Sequence, residues 1–342
     1  MNIAIYGAGA MGTVLGAYIT RAGYPIDLIN RNIDHTNALK STGAKIVGKT
    51  KFTQKVNALF PNEIDKKYDI ILLMTKQRHN KEIVESLIHN MTETGVICTM
   101  QNGIPEISVA EVIGKDRTIG CTMSWGATLH GNGVSELTSD ADRETLTFSI
   151  GKYGNNDDTL FNHIIELLNT MGNVKIEENF IGARWAKLLV NAAFSGLSVV
   201  LDATFGEIAN NRKSRKIALK AIKECIDVAN AADINIEPIQ GKNVVRLMNY
   251  NNPIKKQISL ILLPIAMKKH RKIKSSMLRD LKLGRKTEID SINGIISKYG
   301  KAVNIPTPIN DTIIETVHQI EDNILQPQWD NIVQFNKNRP SN

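Results

Sequence analysis

The chain has 342 residues, more than one hydrophobic core usually serves, so two domains of roughly 150 to 200 residues are expected. Hydrophobic residues at 42% and charged residues at 22% exclude disordered, collagen-like and fibrous classes. A net charge of +8 suits nucleic acid, a membrane surface or small anions, and by itself does not choose among them.

Cys98, Cys121 and Cys225 lack CxxC spacing, and the histidines show no ligand spacing, so neither a disulfide framework nor a metal site is expected. The amino terminus runs straight into a strand pattern without the features of a signal peptide. The longest late apolar run, 258–267, is interrupted by Ser259 and Pro264 and is shorter than the ~20 residues a bilayer needs. A cytoplasmic protein with no membrane partner is expected. The densest basic cluster is Lys268, Lys269, His270, Arg271, Lys272 and Lys274. It reads as a solvated helix face or as a device that steers an anionic cofactor or substrate. No aromatic interleaving accompanies it, so no nucleic-acid partner is expected.

In chain order, the first half alternates short β-type runs with helical patterns, as a parallel sheet with helices on its faces does. Strands are expected at 2–6, 25–30, 69–75 and 96–100, and helices at 10–22, 35–41, 80–91 and 105–113. Residues 44–59 read as a β excursion, and 118–150 as antiparallel strands extending the same sheet. After Tyr153 helical patterns dominate, at 159–171, 181–200, 211–231, 238–250, 256–283, 287–299 and 310–324. The expected domains are α/β at 1–178 and mostly α-helical at 179–326, with the change near Phe180 and a frayed tail at 327–342. The helical domain has apolar surface enough to support a homodimer.

Gly7, Ala8, Gly9, Ala10, Met11 and Gly12 form a GxGxxG turn directly between the first strand and the first helix. In that context the glycines give a tight turn, close backbone approach to a pyrophosphate and close helix packing, the mark of a Rossmann-type dinucleotide-binding domain. The helix amino terminus adds N–H groups and a favourable dipole. An acidic residue ending the second strand would bind the ribose hydroxyls of NAD, but Asn30 and Arg31 stand there. A guanidinium accepts a 2′-phosphate, so NADP(H) is the expected cofactor; the alternative is an exposed loop arginine. Lys76 and Asn102 also fall at carboxyl ends of strands, where they serve either the ligand or, for Asn102-Gly103, a turn.

Lys187, Asn191 and Ser195 recur every four residues and line one helical face among Leu188, Leu189, Val190 and Leu197. A lysine desolvated by such neighbours has a lowered pKa and can donate a proton near neutral pH, though a solvated lysine stripe fits the spacing as well. Ser275-Ser276-Met277 and Thr287-Glu288-Ile289-Asp290 gather hydroxyls and carboxylates, and Thr287 also reads as a helix cap.

GAGAMG, Lys76, Gln101-Asn102-Gly103, Arg184-Trp185-Ala186-Lys187-Leu188 with Asn191, and the two last motifs together resemble the ketopantoate reductases over nearly the whole chain. The resemblance implies a Rossmann domain, a helical domain like the carboxy-terminal one of 6-phosphogluconate dehydrogenase, and a site in the cleft between them. It also implies reduction of 2-dehydropantoate to pantoate on the route to pantothenate and coenzyme A. Carried over by position, Lys187 would be the general acid, and Glu288 would orient substrate and lysine. Asn102, Asn191, Ser195 and Ser276 would contact substrate. Gly7, Ala8, Gly9, Ala10, Met11, Gly12, Arg31, Lys76 and Asn102 would hold NADPH. Two positions depart from the family pattern: Ser195 and Phe205 stand where asparagines are usual. The alternative substrate class is therefore a branched or aromatic 2-keto acid, as used by related 2-hydroxy-acid dehydrogenases.

Overall fold

The protein is described by a computed structural model over residues 1–239, 241 and 243–336. It divides into two compact units, Met1–Phe180 and Ile181–Asn342. The first opens with β1 (Ile3–Tyr6), α1 (Ala10–Arg21), β2 (Asp27–Ile29) and α2 (Ile33–Thr42), followed by β3 (Ala44–Gly48), β4 (Phe52–Gln54) and β5 (Asn57–Leu59). Next come β6 (Tyr68–Leu73), α3 (Asn80–Leu87), β7 (Met91–Thr99), α4 (Glu106–Ile113) and β8 (Thr118–Met123). The unit closes with β9 (Ala127–Gly131), β10 (Val134–Leu137), β11 (Thr147–Lys152), α5 (Asp158–Asn169) and β12 (Asn173–Ile176).

Eight strands form one sheet in the order β12-β11-β8-β7-β6-β1-β2-β5. Every neighbour is parallel except β11 on β8. Strands covered on both faces run nearly continuously apolar, as β6 does over its last four residues, Ile-Ile-Leu-Leu. Ile70 and Leu72 enter one core with Ile5 and Leu28, while Ile71 and Leu73 enter the other with Ala4 and Ile29. Strand order reverses at β1, with β2 on one side and β6 on the other, so the carboxyl end of β1 is the topological switch point where ligands of such sheets gather.

The expectation that 118–150 extends this sheet holds only for β8 and β11. β9 and β10 instead join β3 and β4 in a separate four-stranded sheet, ordered β4-β3-β10-β9, with β10 parallel to β3. This sheet lies against α1, where it buries Ile46 and Leu137, and Phe52 packs edge-on to Tyr18 with ring centroids 5.3 Å apart. Alternating hydrophobicity marks a buried face but not the partner strand, and here the partner lies about 90 residues away in sequence.

The second unit carries α6 (Phe180–Leu201), α7 (Phe205–Asn210), α8 (Arg212–Ala231), α9 (Val244–Met248) and α10 (Pro253–Ala266). α11 (Ser276–Lys282), α12 (Ile289–Ala302) and α13 (Pro308–Glu321) follow. Within the expected helix at 238–250, residues 240 and 242 lie outside the described ones, and the helix observed is only Val244–Met248.

The single helix expected over 256–283 is broken. After Met267 the chain makes a 3-10 turn, Lys268–His270, and the basic cluster is an exposed turn rather than a helix face, since stacking so many like charges on one helix is unfavourable. The expected frayed tail is also corrected in part. Trp329–Asn336 is 3-10 helical with Phe335 buried, and Asn331 Nδ2 donates to the carbonyls of Val200 at 2.9 Å and Gln326 at 2.8 Å. The rest of that expected tail, 337–342, lies outside the described residues. Among the described residues no helix is long and apolar enough to cross a membrane.

Candidate active site

In the first unit, four loops meet at the carboxyl edge of the parallel strands. Gly7 follows β1 with φ +99°, and a Cβ there would lie 2.6 Å from the backbone nitrogen of Thr75 in the loop after β6. A Cβ on Gly12 would lie 2.9 Å from the Gly7 carbonyl, so α1 can sit this close to β1 only without a side chain. Gly9 differs: a Cβ there would meet no protein atom closer than the Gly7 oxygen at 4.0 Å. Packing within the chain does not require this glycine, and the open space above it fits a pyrophosphate. Gly9 caps α1 without any side-chain hydrogen bond, which leaves the first-turn N–H groups of Ala10, Met11 and Gly12 to an anion.

The other loops are tied to this turn. Asn30 Nδ2 donates to the Ala8 carbonyl at 2.7 Å, and Asn30 Oδ1 accepts from the Asn32 backbone at 2.9 Å, so the amide serves the loop and Arg31 beside it stands exposed. Burial raises the Tyr6 pKa, and the nearby charge of Arg31 pulls it back. Gln101 Nε2 donates to the Thr75 carbonyl at 2.8 Å and to Asn80 Oδ1 at 2.7 Å, locking the loop after β7 to the loop after β6. Asn102 is half-buried, its carbonyl accepting from Gln77, and Lys76 is exposed.

His35 is a member of this assembly that sequence reasoning missed. The Gly133 N–H donates to Nδ1 at 3.0 Å, so Nε2 carries the ring proton and donates to the Ala8 carbonyl at 3.0 Å. Burial lowers its pKa, and the bond to Ala8 only partly offsets this. The ring thus joins the glycine turn to the second sheet. Nothing in its neighbourhood in sequence distinguishes it from a surface residue of α2.

In the second unit, α6 carries Lys187 and Asn191 half-buried and Ser195 buried on one face. Gly196 lets α12 and α13 come close: a Cβ there would press on Ile313 and lie 3.3 Å from Ile289, the residue after Glu288. The turn bearing Ser195 therefore packs on the start of α12, where Glu288 is buried. Asn293 Nδ2 fixes that approach by donating to the Ala192 carbonyl at 2.9 Å and to Asn310 Oδ1 at 2.9 Å. Asn310 Nδ2 donates in turn to Glu224 at 2.7 Å, and burial raises the pKa of Glu224 despite these donors. This buried polar chain joins α6, α12, α13 and α8.

Ser275 takes the capping role at α11, accepting from the Met277 backbone at 3.2 Å, while its own N–H donates to Ser198 Oγ at 3.1 Å. Ser276 beside it is left exposed. Thr287 Oγ1 accepts from the Ile289 N–H at 3.2 Å, but the N-cap of α12 is Glu288, one residue later than the expected Thr287. Phe205 is buried against Phe194 with ring centroids 5.5 Å apart, so the ring at this departure from the family pattern fills the helical core. Among the described residues there is no group of three or more histidine, cysteine, aspartate or glutamate side chains that could hold a metal ion.

A glycine turn at the switch point of a parallel sheet, followed by a helical unit, defines the class as a dinucleotide-binding oxidoreductase. Models of ketopantoate reductase PanE/ApbA and of its C-terminal part match residues 3–150 and 179–321 respectively. The chain belongs to the ketopantoate reductase family. A 2-dehydropantoate 2-reductase of Pyrococcus horikoshii is 31% identical over 316 residues, 91% of this chain and 94% of that protein. The solved ternary structure of D-mandelate dehydrogenase with NADH and anilino(oxo)acetate matches with a TM-score of 0.80 at 23% identity, over 95% of this chain and 99% of that one. A PanE/ApbA family ketopantoate reductase from Ralstonia eutropha JMP134 matches at 0.78 and 22%, over 94% and 99%. At these identities the two structures speak for the fold.

Proposed function

We propose that this chain reduces 2-dehydropantoate to pantoate with NADPH, in the route to pantothenate and coenzyme A. When bound, the reduced nicotinamide supplies the hydride that adds to the keto carbon. Lys187 donates the proton to the keto oxygen, and its positive charge stabilises the developing alkoxide. Glu288 orients Lys187 and the substrate, while Asn191, Ser195, Ser276 and Asn102 hold substrate oxygens. The glycine turn, with Ala8, Ala10 and Met11, takes the pyrophosphate, Arg31 takes the 2′-phosphate, and Lys76 and Asn102 take the ribose side. The observation that carries the reading is the packing of α6, at Ala192 and Gly196, on Asn293 and Ile289 of α12, which brings the helix bearing Lys187, Asn191 and Ser195 to the helix start where Glu288 is buried. The curated relatives named 2-dehydropantoate 2-reductase support the substrate.

A second reading, reduction of a branched or aromatic 2-keto acid, is favoured by one observation. Ser195 and the core-packed Phe205 remove two amides that would read a polar substrate. The test compares kcat/KM for 2-dehydropantoate, 2-oxoisovalerate and phenylglyoxylate with NADPH and with NADH, in wild type and in Lys187→Ala. The first reading expects 2-dehydropantoate to lead and Lys187→Ala to lose roughly 10²–10⁴-fold in kcat while still binding NADPH. Preference for phenylglyoxylate or 2-oxoisovalerate would move the assignment to the second reading, and unaltered turnover in Lys187→Ala would remove the lysine from the chemistry.

A further inference from the structure

Helix α10 has two apolar faces. The inner one, with Ser259, Leu260, Leu263 and Met267, is buried in the helical unit, where α10 packs on α8 and α7. The outer one carries Ile254, Ile258, Ile261 and Ile265, which are 76%, 49%, 66% and 64% exposed. Single exposed aliphatics are ordinary, but four on one stripe of one helix form a contiguous patch of the kind that marks an interaction site. Together they expose on the order of 450 Å² per copy, more than half of the ~800 Å² that a standard interface takes from each partner. Leu247, 39% exposed, and the half-buried Leu262 enlarge the patch.

The spacing of the stripe selects its occupant. Steps of four, three and four residues form a heptad seam, and they read the same in both directions along the helix. A twofold axis through the middle of α10 would set Ile258 against Ile261 of a second copy and Ile254 against Ile265. A face that matches itself under a twofold is the requirement of an isologous dimer. The charges agree with this pairing. Under the same axis Lys255 and Lys256 fall opposite Pro264 and Leu263, and Lys268 and Lys269 fall opposite Asn251 and Tyr250, so no lysine directly confronts another.

We propose that α10 pairs antiparallel with α10 of a second copy, making the protein a homodimer through the four-isoleucine seam. Sedimentation equilibrium of the full chain should give twice the 37.9 kDa of one chain for wild type and a single-chain mass for Ile258→Glu/Ile261→Glu. Both positions are solvent-facing, so far-UV circular dichroism should show the variant folded. Direction is read by disulfide trapping, with the native Cys98, Cys121 and Cys225 all buried and silent. A mixture of Ile254→Cys and Ile265→Cys chains should cross-link, whereas Ile254→Cys alone should not. In the antiparallel pair two copies of position 254 lie roughly 16 Å apart along the helix, beyond the ~7 Å between Cα atoms that a disulfide spans. A monomeric wild type at 50 µM protein overturns the proposal, as does a glutamate variant that stays dimeric, or cross-linking of Ile254→Cys with itself. A monomer that instead binds vesicles of anionic phospholipid would give this face, with its neighbouring basic turn, to a lipid surface.

Discussion

The Thr287 N–H donates to Oε1 of Glu321 at 2.6 Å, so a buried carboxylate at the end of α13 holds the residue immediately before Glu288. Glu321 Oε2 lies 3.0 Å from His318 Nδ1, and His318 Nε2 lies 3.0 Å from Asp290 Oδ1, which closes a ring around the start of α12. Burial would raise the Glu321 pKa, but the donors from Thr287 and His318 outweigh it and hold it low. Burial would likewise lower that of His318, and the two carboxylates outweigh it and raise it. Hydrogen bonds to charged groups are worth about 1.5–3 kcal/mol. Glu321→Ala should cost about that much stability in a urea titration and lower kcat several-fold, with the nucleotide Kd unchanged. Glu321→Gln, which keeps an acceptor for Thr287, should recover most of the loss. If kcat in Glu321→Ala matched wild type, this ring would have no bearing on Glu288.

Gly7 and Gly9 sit two residues apart and should respond oppositely to the same substitution. Gly7→Ala forces a side chain into the left-handed region at φ +99° and onto the Thr75 backbone, so it should destabilise by more than the ~1–2 kcal/mol of the backbone term alone. Gly9→Ala meets open space in the protein and should leave the unfolding midpoint within about 0.5 kcal/mol of wild type. The added methyl then stands where a pyrophosphate would lie, and the nucleotide Kd should rise at least tenfold by fluorescence titration. Unweakened binding in Gly9→Ala would place the phosphates elsewhere.

These contrasts show what could be read along the chain and what could not. The glycine turn, and the face of Lys187, Asn191 and Ser195, were legible because each is a short-range pattern whose period is the period of its own element. The contacts of His35, Gln101 and Glu321 were not, because their partners Gly133, Thr75 and Thr287 lie 98, 26 and 34 residues away. The buried chain from Ala192 through Asn293 and Asn310 to Glu224 escaped for the same reason. An asparagine within a helix announces neither burial nor partner. The second sheet was missed because β10 alternates as any half-buried strand does, and only its parallel pairing with β3 reveals which sheet it joins.

His35 makes the glycine turn sensitive to acid. Its folded pKa lies below the unfolded value, so the unfolded chain takes up a proton first as pH falls. The contribution to stability is complete above about pH 6.5 and is lost below it, with a slope of up to about 1.4 kcal/mol per pH unit until the folded pKa is reached. Protonation would also turn Nδ1 from acceptor to donor, facing the Gly133 N–H. Unfolding midpoints from pH 5 to 7.5 should show this slope in wild type and a shallower one in His35→Gln, which does not titrate. Parallel curves for the two proteins would assign the acid sensitivity to other groups.

Arg31 carries the prediction on cofactor choice, because Asn30 beside it already donates to Ala8 and accepts from Asn32. Recognition of a 2′-phosphate at the end of β2 then falls to the exposed guanidinium. Charge-assisted hydrogen bonds of this kind are worth about 1.5–3 kcal/mol, so Arg31→Ala should raise the KM for NADPH roughly 10–100-fold and leave that for NADH little changed. Arg31→Asp should go further and favour NADH, since a carboxylate accepts from the ribose hydroxyls and repels the phosphate. Steady-state kinetics with both nucleotides decide the matter. An equal loss with NADPH and NADH in Arg31→Ala would mean that the arginine supports the loop, and that the choice of nucleotide is made by other side chains at the sheet edge.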